Sequence, residues 1–207
     1  MSSKTNISIS LLWLFTVSGI LGIISPAKEW FLALTPLNLS LSFAVLLIHL
    51  ETLNKKAVMA LSIPFLLGFT TEALGVNYGL LFGSYTYGAN LGFKLAGVPL
   101  MICINWVMLT VVTADLAKKL TSKLWLSSLF GALFMTLLDA IIEVSAPRFD
   151  FWEFEGNQVP TQNYIAWFCI AFVAHMAFQY LDIKTNKKIS MNVLASMFVF
   201  FTIFLFI

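Results

Sequence analysis

Seven apolar segments, separated by short polar connections, constrain this chain more than any other feature of its sequence. They span residues 7–24, 36–53, 57–74, 97–115, 123–143, 161–181 and 189–207. Each is close to the roughly 20 apolar residues that cross a bilayer as a helix. Charged residues make up only 11% of the chain, against about 25% in soluble domains. We therefore predict an all-α bundle of about seven transmembrane helices, forming one integral membrane domain over residues 1–207.

Basic residues predict the orientation of this bundle. Lys4 precedes the first segment, and lysines crowd the connections after the second, fourth and sixth segments. The opposite side has only Lys28, Lys94 and Arg148. Since cytoplasmic loops carry the excess of lysine and arginine, the N-terminus is predicted inside and the C-terminus outside a bacterial inner membrane. The first segment is expected to remain as a span, because its apolar run is long for a signal peptide and lacks a cleavage site.

Three acidic residues lie near the outer ends of predicted spans, where charge is costly. They are Glu72 in the third segment and Asp139 and Glu143 in the fifth. The i,i+4 spacing of the last two places both carboxyls on one helix face. Acids inside membrane segments cost roughly 2.5–3.5 kcal/mol on insertion scales and are functional candidates. Clustered carboxylates in a low dielectric cannot all stay ionised, so we expect a neutral general acid beside an ionised base. Hydrated acids at the membrane interface are the alternative.

Polar and aromatic side chains accompany these acids in the predicted spans and in the long connection 75–96. The candidates are Tyr85, Tyr87, Asn105, Trp106, Asn163 and Trp167. The asparagine amides would alternatively join neighbouring helices, and the tryptophans would anchor the membrane interface. The tyrosines offer phenol donors and aromatic faces that attract positive charge. Such a site suits protonation of an electron-rich alkene to a tertiary carbocation, in a lipid-soluble substrate that enters from the bilayer.

Glycines follow Glu72 at four-residue intervals, at Gly75, Gly79 and Gly83. On a helix this spacing would form one smooth face. Such a face permits close helix packing, or alternatively provides a flat wall for a flat ligand.

Three blocks of the chain carry a more specific pattern. Residues 72–100 read E-x-x-G-V-N-x-G-x-L-F-G-x-Y-x-Y-G-x-N-L-G-x-K-x-x-G-V-P-L, and I-N-W follows at 104–106. Residues 139–147 read D-x-x-I-E-x-x-A-P and lead into F-W-x-F and V-P-x-Q-N-Y-x-x-W-F. This order of blocks resembles the membrane carotenoid-biosynthesis family of bacteria and archaea, the CruF-type carotenoid 1,2-hydratases. One departure is that the block after Glu143 reads V-S-A-P where the family usually has P-V-A, which leaves open how Glu143 lies relative to the helix end.

The resemblance implies that water is added to the terminal double bond of an acyclic carotenoid end group, such as that of lycopene or γ-carotene. It implies that no redox cofactor is needed. A metal site is not expected either, because His49 and His175 have no carboxylate nearby. The matching acids are Glu72, Asp139 and Glu143. The matching substrate-binding positions are Asn77, Tyr85, Tyr87, Asn105, Trp106, Asn163 and Trp167. We assign proton donation to Asp139, because it lies deeper, and activation of water to Glu72 or Glu143.

Two other classes of function fit the same features. A membrane lycopene cyclase or isomerase would begin with the same protonation but exclude water. A transporter or carotenoid-binding protein would also place acids within the membrane, although no inverted repeat is evident. The expected partners are a carotenoid, membrane lipid and other carotenoid enzymes. A net charge of +2 does not indicate nucleic acid.

Overall fold

The computed structural model describes residues 3–207, and most of these residues are helical. The helices are α1 (Ser3–Ile24), α2 (Lys28–Ala33), α3 (Thr35–Ile48), α4 (Lys55–Tyr78), α5 (Leu100–Ala117), α6 (Leu124–Ser145), α7 (Thr161–Tyr180) and α8 (Lys187–Ile203). All of them except the short α2 overlap a predicted apolar segment. Within residues 3–207, four helices are long and apolar enough to cross a membrane, namely α1, α4, α5 and α6. The apolar α3 is shorter.

Polar connections between the apolar segments supply side-chain caps at the start of α4 and of α8. The Asn54 side chain accepts a hydrogen bond from the Ala57 N–H (3.0 Å) at the start of α4. The Asn186 side chain does the same for the Ile189 N–H (3.2 Å) in α8. Asparagine is favoured at this position because its oxygen satisfies an otherwise unpaired donor of the first turn. The boundaries of these helices therefore follow from local sequence.

Two departures from the predictions affect how the chain folds. The second apolar segment was predicted to run to residue 53, but α3 ends at Ile48, and the Glu51 N–H donates to the Lys184 carbonyl (3.2 Å) instead of continuing the helix. The predicted helix face of three glycines is wrong as well. Only Gly75 lies within α4, because Gly79 adopts a left-handed conformation (φ 65°) that ends the helix.

Helix α5 forms the centre of the bundle. The 18-residue apolar stretch of α5 is 78% buried, against 33–44% for the corresponding stretches of the other three candidate spans. Helix α5 contacts α3, α4, α6, α7 and α8. Trp106, near the middle of α5, has no exposed surface. A helix that is apolar on every side has no face for solvent, so its neighbours enclose it.

The two long connections meet at one end of the bundle. Strand β1 (Tyr85–Tyr87) pairs antiparallel with β4 (Trp152–Phe154), with Tyr85 opposite Phe154 and Tyr87 opposite Trp152. Strands β2 (Lys94–Leu95) and β3 (Val98–Pro99) form a second small antiparallel pair before α5. The β1–β4 ribbon therefore covers the C-terminal ends of α4 and α6 and the N-terminal end of α7.

Candidate active site

A small pocket lies beneath the β1–β4 ribbon. It is lined by Glu72, Phe82, Tyr85, Tyr87, Ile102, Asn105, Asp139, Glu143, Trp152, Phe154, Asn163 and Trp167. All three predicted acids are present, and each is at most 6% exposed. The structure therefore brings together acids from two helices that are far apart in the sequence, in a site largely shielded from solvent.

Glu72 is held by three hydrogen-bond donors. The Tyr85 and Tyr87 hydroxyls both donate to its Oε2, the latter at 2.7 Å. The Trp106 indole N–H donates to its Oε1 at 3.0 Å. Hydrogen bonds to a charged group contribute about 1.5–3 kcal/mol each, so this network fixes the carboxyl group between α4, α5 and the ribbon.

The ribbon explains how two phenols reach one carboxylate. Tyr85 and Tyr87 are two residues apart in β1, so their side chains point to the same face of the strand. Burial, reinforced by the negative charge of Glu72, raises the pKa of both tyrosines above the ordinary value. Both phenols therefore stay protonated at neutral pH and remain donors.

Glu143 has a separate pair of donors. The Trp152 indole N–H donates to its Oε2 (2.8 Å) and the Asn163 amide to its Oε1 (3.0 Å). Because α6 continues to Ser145, Glu143 lies in the last helical turn despite the displaced proline. One donor on each oxygen leaves further lone pairs of the carboxylate free to accept a proton or a hydrogen bond.

Asp139 differs from the other two acids. It lies one helical turn before Glu143 on α6 and is 2% exposed. Its Oδ2 is buried and has no hydrogen-bond partner among the described residues. A buried carboxyl group without donors is unfavourable as an anion. Of the three acids, Asp139 thus has the surroundings that most favour the neutral, proton-carrying form.

Aromatic rings form much of the remaining wall. The Trp167 ring lines the pocket and is stacked on the fully buried Trp106 ring, with centroids 4.2 Å apart and planes at 14°. Phe82 packs against Trp167 at 6.2 Å, and Phe154 packs against Tyr85 at 5.2 Å. Aromatic faces attract a nearby cation without supplying a nucleophile, so the pocket combines acids with surfaces that tolerate positive charge.

Asn77 is the one predicted site residue that lies outside this cluster. Its side chain is exposed and donates to the carbonyls of Ala73 (2.8 Å) and Ala96 (2.9 Å). Five residues separate it from Glu72, which places it about 140° around the helix from that acid. Asn77 instead ties the end of α4 to the following connection.

Trp152, Phe82 and Phe154 were not among the predicted site residues, although they line the pocket. Trp152 and Phe154 belong to the F-W-x-F block that follows the acids of α6. The sequence therefore offered this block as a signal for the two residues. Only the pairing of β4 with β1 shows that its aromatic side chains face the acids.

Comparison with known proteins identifies the family of this chain. The sequence profile of the carotenoid biosynthesis protein family matches residues 34–207, which include every residue of the pocket. The chain belongs to the carotenoid biosynthesis protein family. The resemblance inferred from the sequence blocks is therefore confirmed at the level of the family.

A protein named as a hydratase is also similar to this chain. The bisanhydrobacterioruberin hydratase of Haloarcula japonica is 29% identical over 139 residues. The match covers 61% of this chain and 46% of that relative, so the chain matches less than half of the relative's length. No solved structure matches the chain.

Proposed function

We propose that this protein is a membrane carotenoid 1,2-hydratase, which adds water to the terminal double bond of an acyclic end group such as that of lycopene or γ-carotene. Its family and its similarity to a hydratase support an enzyme of carotenoid biosynthesis. The observation that carries the specific reaction is the contrast among the three acids. Asp139 is buried with an unpaired oxygen, whereas hydrogen bonds hold Glu72 and Glu143.

Asp139 is the proton donor in this proposal. Its neutral carboxyl group transfers the proton to the less substituted carbon of the alkene, and the π electrons form the new C–H bond. A tertiary carbocation remains on the neighbouring carbon, and Asp139 becomes a carboxylate. Acid catalysis near neutral pH requires a carboxyl group that keeps its proton beside another carboxylate that is ionised.

The aromatic walls stabilise the cation. Trp167, Tyr85 and Phe154 line the same pocket as Asp139. Preorganised faces and carboxylates need no rearrangement as the charge develops, and exposed cation–π pairs contribute roughly 0.5–1 kcal/mol, with more in desolvated sites.

Glu143 completes the reaction by accepting a proton from water as the water oxygen bonds to the cation. It is better suited than Glu72, whose two oxygens already accept three hydrogen bonds. Asn105 lines the pocket, and its buried Oδ1 has no partner within the described part of the chain, so this residue is an acceptor that orients the water. Return of the proton from Glu143 to Asp139, one turn away, restores both acids. Overall, one π bond of the alkene and one O–H bond of water are broken, and a C–H and a C–O bond are formed, without a redox cofactor.

The topology belongs to the same proposal. Helices α1 and α3–α8 supply seven spans, and the lysine-rich connections lie on the cytoplasmic side of a bacterial inner membrane. The β1–β4 ribbon then lies at the outer face. The carotenoid reaches the site from the membrane lipid, where other carotenoid enzymes would deliver it.

Expression in a lycopene-producing bacterium tests this function. We expect chromatography and mass spectrometry to show a pigment heavier by one or two waters. A pigment of unchanged mass but altered absorption would instead indicate a cyclase or isomerase. If lycopene is untouched, γ-carotene and bisanhydrobacterioruberin are the next substrates to supply.

Amide variants test the mechanism in the same strain. Asp139→Asn and Glu143→Gln should abolish the hydrated product while the protein is still made. Glu51→Gln is a matched control, because Glu51 is an exposed acid paired with Lys184 (3.4 Å) away from the pocket. Full activity in both pocket variants would rule out the proposed acid–base roles.

A further inference from the structure

A second and much larger cavity lies beside the acid pocket. It has a volume of about 350 Å³ and lies between α1, α3, α5 and α8. Ligand pockets typically measure about 300–1,000 Å³, so the cavity has the size of a binding site. None of the three acids lines it.

The walls of this cavity suit a hydrocarbon. Most lining residues are apolar, including Ile23, Leu39 and Met108. Three of the hydroxyl groups in the wall donate within their own helices: Thr16 to the Leu12 carbonyl (2.8 Å), Ser196 to the Val193 carbonyl (2.8 Å), and Ser18 to the Leu14 carbonyl. These three groups are therefore already paired without a polar ligand.

The cavity adjoins the acid pocket, and one set of side chains separates the two spaces. Ile102, Asn105 and Trp152 line both spaces. Asn105 is 9% exposed, and its buried Oδ1 has no hydrogen-bond partner among residues 3–207. A chain lying in the cavity would reach the acid pocket by moving past these three side chains.

The far side of the cavity opens at the surface of the bundle. Trp30 and Leu37 line the cavity and are 61% and 54% exposed. They lie on α2 and α3. In a membrane-spanning bundle, large exposed apolar side chains face lipid, so this opening is an entrance for a ligand dissolved in the bilayer.

We propose that this cavity binds the long unsaturated isoprenoid chain of the substrate, which enters between α2 and α3 and places its terminal alkene beyond Asn105 in the acid pocket. The assignment rests on the proposed function for the identity of that chain. It explains why the acid pocket is small. Only the reacting end group needs to occupy the pocket, because the rest of the molecule lies in the larger cavity.

Filling the cavity from Gly19 on α1 tests the assignment. A Cβ at Gly19 would lie 3.5 Å from Phe200 and 4.0 Å from Asn38, which are ordinary contacts. Gly19→Phe therefore adds a ring to the cavity without removing an interaction. Val17→Phe is the matched control, because Val17 is on the same helix, is 48% exposed and does not line the cavity.

The readout is lycopene retained per protein after purification in detergent, together with the amount of hydrated product in the cells. Gly19→Phe should lower lycopene retention by at least about tenfold, a loss of about 1.4 kcal/mol, and Val17→Phe should match the wild type. Equal retention in the two variants would overturn the assignment. Thermal unfolding verifies that Gly19→Phe is folded. If Gly19→Phe is unfolded, Ser42→Leu on α3, across the cavity, replaces it, and its lycopene retention is compared with that of Val17→Phe.

The two proposals fail in different ways. If Gly19→Phe loses lycopene but the wild-type protein never adds water, the cavity assignment stands and the hydratase fails. If Gly19→Phe binds lycopene and hydrates it as Val17→Phe does, the hydratase stands and the cavity assignment is wrong.

Discussion

Gly75→Ala is the smallest change in the chain that reaches the candidate active site. Gly75 lies one turn after Glu72 on α4. A Cβ at this position would lie 2.7 Å from the Tyr85 hydroxyl, 2.9 Å from its ring and 3.1 Å from Phe82. These approaches are closer than van der Waals contact, so the Tyr85 ring must move away. The substitution therefore breaks the hydrogen bond from Tyr85 to Glu72 without touching either residue.

The expected fall in the rate of hydration can be worked out from the lost hydrogen bond between Tyr85 and Glu72. A hydrogen bond to a charged group contributes about 1.5–3 kcal/mol, which corresponds to a loss in rate of about tenfold to 150-fold if the bond acts in the transition state. Alanine is favoured over glycine in a helix by about 0.8–1.0 kcal/mol. This gain offsets part of the strain. We therefore expect the rate of hydration to fall much more than the free energy of unfolding.

The assay is the rate of hydrated carotenoid formation in membranes, per folded protein, with thermal unfolding measured in detergent. Gly131→Ala is the control, because its Cβ would lie 2.6 Å from the His175 ring, between α6 and α7 and outside the pocket. It should lower stability but leave the rate per folded protein unchanged.

A double-mutant comparison isolates the hydrogen bond itself. In a Tyr85→Phe background the phenol is already absent, so Gly75→Ala should cause a smaller further loss. A Gly75→Ala protein as active as the wild type would refute the expectation that the hydrogen bond to Glu72 positions the Tyr85 ring beside the cation.

Three further predictions follow from the same contacts. Trp152→Phe removes the donor to Glu143 (2.8 Å) while keeping an aromatic ring, and should slow hydration by roughly tenfold; an unchanged rate would exclude this donor from the reaction. Because burial and Glu72 raise the pKa of Tyr85 and Tyr87, both phenols should stay protonated at about pH 10, where an ordinary tyrosine is half ionised. Replacing both by Phe should then leave the tyrosinate absorbance at that pH unchanged, and a decrease would contradict their burial. Asn77→Ala loses two hydrogen bonds to backbone carbonyls and should lower the melting temperature but not the rate per folded protein; a selective loss of rate would place Asn77 in the site.

Local sequence determined the helices and much of the candidate site. Apolar runs of membrane length and asparagine caps such as Asn54 define helix ends through interactions a few residues apart. Because burying a carboxylate costs free energy, Glu72, Asp139 and Glu143 could be recognised as candidates from the sequence alone. The prediction of a helix face made of three glycines was wrong, because Gly79 adopts a left-handed conformation and ends α4.

Only the tertiary structure decided how the acids differ. The donors to Glu72 come from strand β1 and from α5, and those to Glu143 come from β4 and from the start of α7. Which side chains meet depends on the register of β1 with β4 and on the rotation of each packed helix. Neither is encoded by spacing along the chain, which is why Trp152 was missed and Asn77 was placed on the wrong side of α4. The large cavity has the same origin, since it is the space that α1, α3, α5 and α8 leave between them when they pack.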